Sequence, residues 1–246
     1  MYIDVHCHLN LIKEVSASVK KAEKDGVSII ITQGVDVKTN REALNLSNEF
    51  KIVKCALGLY PSDILKMTDS KINEELDFIK KNKNKLIAIG EIGLDKTYKD
   101  FEKQKKIFIE LLQLAKEIDK PVIINSRKAE EETIKILEQE KMKKVIMHCF
   151  CGSKELVKRV IKNGWYISIP ANVTFSKQFQ ENIALTPIEQ LFCETDSPFL
   201  HPEKGKRNNT PTNVIESYKK IAEIKMIDLE TVTMKIEQNF KRVFRV

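Results

Sequence analysis

The sequence predicts an eight-stranded (β/α)₈ barrel of the TIM type, forming a single domain over residues 1–246, and three observations carry that expectation. Eight short apolar runs rich in Val and Ile recur along the chain, each short enough to be a strand buried on both faces. Longer charged segments with apolar residues at helical spacing separate them. No glycine-rich dinucleotide fingerprint follows the first run, and a six-strand open sheet would leave two runs over, so a closed barrel is preferred to a doubly wound sheet.

The runs are residues 2–5, 27–32, 52–57, 86–89, 121–124, 145–147, 165–169 and 191–193. Parallel neighbours need a crossover, which the intervening segments supply. In the segment 100–119, Ile107, Leu111, Leu114 and Ile118 fall on one helical face. Residues 197–212, with Pro198, Pro202, Gly205 and Pro211, read as a long loop after the eighth strand. Two helices, 211–224 and 228–244, close the chain, and neither a linker-like stretch nor a solenoid repeat divides it.

Composition excludes disorder: 42% of residues are hydrophobic and 31% charged. The net charge of +7 suits a polyanionic partner, although runs such as Lys80, Lys81, Lys83 and Lys85, or Lys141, Lys143 and Lys144, fit solvated helix ends and loops. Cys7, Cys55, Cys149, Cys151 and Cys193 sit in or beside apolar runs, which argues against a disulfide framework. With no secretory leader and no membrane-spanning stretch recognised, the expectation is a cytoplasmic protein with no membrane partner.

The chemistry concentrates at strand ends. His6 and His8 stand two apart after the first run, so on an extended chain both imidazoles point one way and can meet one cation. Glu91, Asn125, His148 and Asp196 follow the fourth, fifth, sixth and eighth runs. A parallel barrel brings all of these to its C-terminal rim. Three imidazoles and two carboxylates on one rim are a metal-site inventory, whereas Asn125 alone could be a simple turn or cap residue. Glycine in a turn is the plainer reading of Gly90 and Gly93 around Glu91. His201, in the long loop, is left outside the set as a solvated histidine.

These residues sit in motifs that resemble the TatD family of metal-dependent deoxyribonucleases, within the metallo-dependent hydrolase barrels. Ile3-Asp4-Val5-His6-Cys7-His8-Leu9, Ile89-Gly90-Glu91-Ile92-Gly93-Leu94-Asp95, Met147-His148-Cys149-Phe150-Cys151-Gly152 and Glu194-Thr195-Asp196-Ser197-Pro198 stand in the family's order and span almost the whole chain. The resemblance implies His6, His8 and Asp196 on a first divalent metal, Glu91 shared between two metals, and His148 on the second. It also implies exonucleolytic cutting of DNA, more than RNA, with Mg²⁺ or Mn²⁺ and with Zn²⁺ as an option. Asp196 and Glu91 are then the catalytic carboxylates, acting with metal-activated water.

The chain departs from the family pattern twice, carrying Asn125 and Tyr60 where the family has histidine. An amide oxygen suits hard cations, so the expectation is a second metal bound more weakly than the first. Tyr60 is expected to touch substrate rather than metal, and Arg127 and Arg207 are candidates for a guanidinium grip on phosphate. Two other readings use the same residues: a metal-dependent ester or amide hydrolase, such as an aminoacyl-tRNA deacylase, and a catalytically faded barrel that only binds nucleic acid.

Overall fold

The computed structural model describes residues 1–245; the last residue of the expected 1–246 domain lies outside them. The chain alternates β1 (Tyr2–Cys7), α1 (Val15–Lys24), β2 (Val27–Gln33), α2 (Val37–Glu49) and β3 (Val53–Leu57). Helices α3 (Pro61–Ile64) and α4 (Asp69–Lys81) lead to β4 (Ala88–Asp95), α5 (Phe101–Glu117), β5 (Val122–Arg127), α6 (Glu130–Gln139) and β6 (Val145–Met147). Then come α7 (Lys154–Lys162), β7 (Tyr166–Pro170), α8 (Lys177–Leu185), β8 (Leu191–Glu194), α9 (Val214–Lys225) and α10 (Leu229–Phe244). All eight strands form one parallel sheet in sequence order, as the alternation predicts.

The barrel closes through a seam between β8 and β1 that side chains bridge. Two backbone bonds cross it at the upper end, Asp196 N–H to His6 O (2.9 Å) and His8 N–H to Ser197 O (2.7 Å). Lower down, buried Asp4 accepts from the Thr195 N–H (2.9 Å) and the Thr195 hydroxyl (2.6 Å). The Tyr218 hydroxyl from α9 accepts from Ile3 N–H (2.9 Å) and donates to Ile3 O (3.2 Å), occupying the backbone groups that a neighbouring strand would take. The Asp4 carboxyl and the Ile3 backbone groups at this edge therefore have partners, which a barrel interior demands.

Several strands run further than the sequence predicts. His6 lies inside β1, and Asn125 and Arg127 lie inside β5 rather than beyond it. Strand β4 continues through the Gly90 to Gly93 stretch to Asp95, pairing Gly93 with Asn125 and Asp95 with Arg127. This corrects the turn reading of those glycines. Gly93 has φ +142° and a Cβ there would stand 1.9 Å from Asn125 O, so the two strands approach too closely for any side chain. The helix expected over 211–224 begins as a 3₁₀ turn at Pro211–Asn213 before α9. The helix expected from residue 228 starts one residue later, because Asp228 is its N-cap and accepts from Thr231 N–H at 2.7 Å.

The strands and the inner faces of the helices share one hydrophobic core, from Ile3 and Val5 in β1 through Phe108 and Leu111 in α5 to Phe240 in α10. None of the lysines in the two runs lines the cavity at the C-terminal rim. Among the described residues no helix is long and apolar enough to cross a membrane.

Candidate metal centre

Parallel strands deliver their C-terminal ends to one rim, and there the far-apart motifs meet. His6 is fully buried and His8 nearly so, with their Nε2 atoms 3.3 Å apart. Glu91 Oε2 stands 3.6 Å from both of these nitrogens, and Asp196 Oδ1 stands 3.5 Å from both. Four donors around one cation at about 2.1 Å lie roughly 3.4 Å apart in a tetrahedral arrangement, so the observed separations fit a divalent metal. His148 completes a second overlapping group: the donor atoms of His6, His148 and Asp196 lie within 4.8 Å of one another, as do those of His6, His8 and Glu91.

The protonation of these groups reflects the crowding. Burial pushes the Glu91 carboxyl up. At Asp196 burial pushes the same way, but hydrogen bonds with His6 and His8 and the charge of His148 outweigh it and hold the carboxyl well below the usual range. Burial and the neighbouring His148 push His6 well down. His8 is raised, because its hydrogen bond to Asp196 and the charge of Glu91 overcome burial. Protons and carboxylates thus balance in the buried cluster in the way a cation would otherwise do.

His148 is oriented from behind. Its Nδ1 donates to Glu194 Oε2 at 2.9 Å, and the other oxygen of Glu194 accepts from the Cys149 N–H at 3.1 Å. The Ser168 hydroxyl also donates to this carboxylate. Burial would lower His148, but the Glu194 charge and hydrogen bond prevail and push it up to about 10. A carboxylate behind an imidazole fixes which ring nitrogen faces the metal and strengthens it as a donor.

A cavity of about 670 Å³ opens above the cluster. Asn125, Tyr60 and Arg127 all line it, together with His8, Glu91, His148 and Asp196. The Asn125 amide donates to Leu94 O at 3.0 Å, which leaves its Oδ1 as the group it can offer to a cation. Tyr60 donates its hydroxyl to Asp95 at 3.0 Å, and burial together with the charges of Glu91 and Asp95 pushes its phenol further up, so it stays neutral. Arg127 is exposed and makes no ion pair among the described residues. Arg207 is exposed on the long loop and is not part of the cavity wall. His201 is also in that loop, its Nδ1 accepting from Glu203 N–H.

The TatD related DNase family matches residues 3–245. The chain belongs to that family. It is 36% identical to an uncharacterized metal-dependent hydrolase, YabD, of Bacillus subtilis over the full length of both chains. It is 31% identical to the deoxyribonuclease TATDN3 of Homo sapiens, covering 98% of this chain and 94% of the human protein. Among solved structures, a TatD homologue, YJJV, of Escherichia coli superimposes with a TM-score of 0.92 at 27% identity, covering 100% of this chain and 98% of that one. The TatD-family resemblance read from the motifs and the barrel read from strand alternation are both borne out.

Sequence reasoning passed over Asp4, Glu194 and Phe199. Glu194 carried a signal, standing two residues before Asp196 as His6 stands two before His8. Asp4 carried a weaker one, a carboxylate inside an apolar strand, where burial without a partner is costly. Phe199 had no distinguishing signal in a loop sequence.

Proposed function

We propose that this TatD-family chain is a metal-dependent phosphodiesterase that shortens DNA from an end. The observation that carries the reading is the set of candidate donors in β1 and β4 and just after β1 and β8, with His148 beside them, lining a cavity whose wall also carries Arg127 and Lys128. His6, His8 and Asp196 would hold a first divalent ion, Glu91 would be shared, and His148 with the amide oxygen of Asn125 would hold a second, weaker one. Mg²⁺ or Mn²⁺ fits the oxygen-rich second site better than Zn²⁺. When bound, such ions acidify water and neutralise charge on phosphoryl oxygens.

The protein's own groups do the rest. Asp196, held ionised by its neighbours, is our candidate for orienting the attacking water through its carboxylate oxygen. Glu91, buried between the two imidazoles of β1 and the rim of β5, keeps the donors in place. Arg127, without an ion-pair partner among the described residues, grips a phosphate through its guanidinium fork, which favours a phosphodiester over a carboxylic ester. Tyr60, anchored by Asp95, contacts the substrate with its remaining lone pair. Arg207, on the long loop and outside the cavity wall, would meet only a strand that extends out of the cavity. A reducing compartment, the cytoplasm, suits Cys7, Cys55 and Cys193, which are packed as thiols in the core.

The test is a parallel assay of chelated and metal-reloaded protein on single-stranded DNA, RNA and an aminoacyl ester. DNA should be shortened only in the reloaded sample, and Asp196→Asn should lower the rate by about a hundredfold or more. Faster turnover of the ester, or an undiminished Asp196→Asn enzyme, refutes the reading; metal-independent binding without cleavage would favour the faded barrel.

A further inference from the structure

The cavity over the metal centre has two unlike walls. Because the strands follow one another around the barrel, the β8, β1 and β2 ends form one arc and the β5 and β6 ends lie across from it. The first arc contributes Leu11, Val35, Phe199 and Leu200; the second contributes Arg127 and Lys128, with the Glu130 carboxylate beside them. His6, His8, Glu91 and Asp196 lie between them. One side therefore offers apolar surface and the other two exposed cations against one carboxylate, with the candidate metal centre in the middle.

Phe199 and Leu11 are 52% and 51% exposed, which is more than core packing requires of either. Phe199 is nevertheless held in place. Its N–H donates to Asp196 O at 2.8 Å, and its ring meets His8 edge-on with centroids 6.0 Å apart. Buried Asn209 ties down the residues on either side: its N–H donates to Pro198 O at 3.0 Å and its amide to Leu200 O at 3.2 Å. A fixed, exposed aromatic ring beside a reacting centre presents a flat apolar face at little cost in ordering on binding.

We propose that Phe199, flanked by Leu11, is the platform on which the base next to the scissile phosphodiester stacks, while Arg127 and Lys128 take a phosphate across the cavity. This rests on the phosphodiesterase reading and adds to it a second recognition element, the base itself. A nucleotide has the matching polarity, one flat apolar end and one anionic end. Every base offers a π-face, so such a platform tolerates any sequence. It needs the base free of its partner strand and of its own neighbours, because the ring occupies one of the base's two faces.

The experiment compares wild type, Phe199→Ala, Phe199→Trp and Leu11→Ala in Mn²⁺ on a single-stranded oligodeoxynucleotide and on the same strand with abasic residues at both termini. Phe199→Ala should raise KM on the normal strand by about 5- to 150-fold, the range that stacking on an aromatic ring supplies. It should change KM on the abasic strand little, and Phe199→Trp should restore the normal value. Leu11→Ala should show a smaller loss of the same kind. The exposed positions of both side chains keep the fold out of the comparison. Equal losses on both strands would mean that Phe199 acts only through its contact with His8, and would overturn the platform. So would an unchanged KM for Phe199→Ala. A wild-type enzyme that cuts neither strand would instead overturn the phosphodiesterase reading, and the platform with it.

Discussion

Replacing Glu194 by Gln probes how the metal centre is tuned. In the wild type Glu194 accepts from His148 Nδ1, from the Cys149 N–H and from the Ser168 hydroxyl, three donors on one buried carboxylate. Its charge pushes His148 up to about 10, so at neutral pH the metal-free imidazole is protonated. That proton must leave before Nε2 can bind a cation. Between the ordinary histidine value near 6.5 and about 10, each unit rise in pH should therefore strengthen Mn²⁺ binding about tenfold through His148 alone. In Glu194→Gln the two largest upward causes are gone and only the charges of Asp196 and Glu91 oppose burial, so the imidazole falls and this part of the slope shrinks at and above neutral pH. The amide must also present its N–H₂ to at least one donor, and the imidazole becomes a weaker donor. Affinity for Mn²⁺ should fall by about 10- to 100-fold, with the deficit widening as pH rises. Calorimetric titration of both proteins at pH 6.5, 7.5 and 8.5 reads both quantities. Equal slopes in the two proteins would refute the claim that Glu194 governs the protonation of His148.

Other substitutions test separate parts of the structure. Asn125→His restores the imidazole of the family pattern at the weaker position, and it should raise the Zn²⁺ bound per chain in equilibrium dialysis while leaving the tighter ion unchanged. Gly93→Ala places a Cβ 1.9 Å from Asn125 O at φ +142° and should cost about 3 kcal/mol or more in urea unfolding. Gly164→Ala, at φ +71° with nothing near its Cβ, should cost about 1 kcal/mol. Burial raises the Asp4 carboxyl, outweighing its hydrogen bonds to Thr195, so the fold favours its neutral form. Its contribution is full below the ordinary carboxylate value and is lost as pH rises through the raised one. Thermal unfolding against pH should show that decline in wild type and a flatter profile in Asp4→Asn, whereas Asp4→Ala strands the Thr195 N–H and should cost about 1 to 3 kcal/mol.

How much was legible varies by element. The order of β1 through β8 could be read because each strand is a short apolar run and each crossover a charged helical pattern, both local properties. Strand ends were harder to place. Asn125 and Arg127 are polar, which suggested that β5 had ended, yet pairing with Gly93 and Asp95 carries the ladder through them. That His6, His8, Glu91, His148 and Asp196 would come together was legible because metal chemistry demands particular residue types and parallel strands deliver their ends to one rim. Arg207 was read from its residue type alone, and residue type does not reveal which way a long loop faces.

The sequence by itself determined the inventory: eight strands in order, two imidazoles two residues apart, and carboxylates and a third histidine at the ends of later strands. Those are consequences of composition and period, which need no knowledge of distant contacts. Only the tertiary structure decided that Asp4 seals the barrel to Thr195, that Glu194 stands behind His148, and that Phe199 and Arg127 line the same cavity. The Asp4 to Thr195 bonds join residues 191 positions apart, and the His148 to Glu194 bond spans 46. Partners at such separations share no local pattern. Closure of the sheet into a barrel chooses them, because it brings the last strand beside the first and sets buried groups such as Asp4 and Glu194 against their partners.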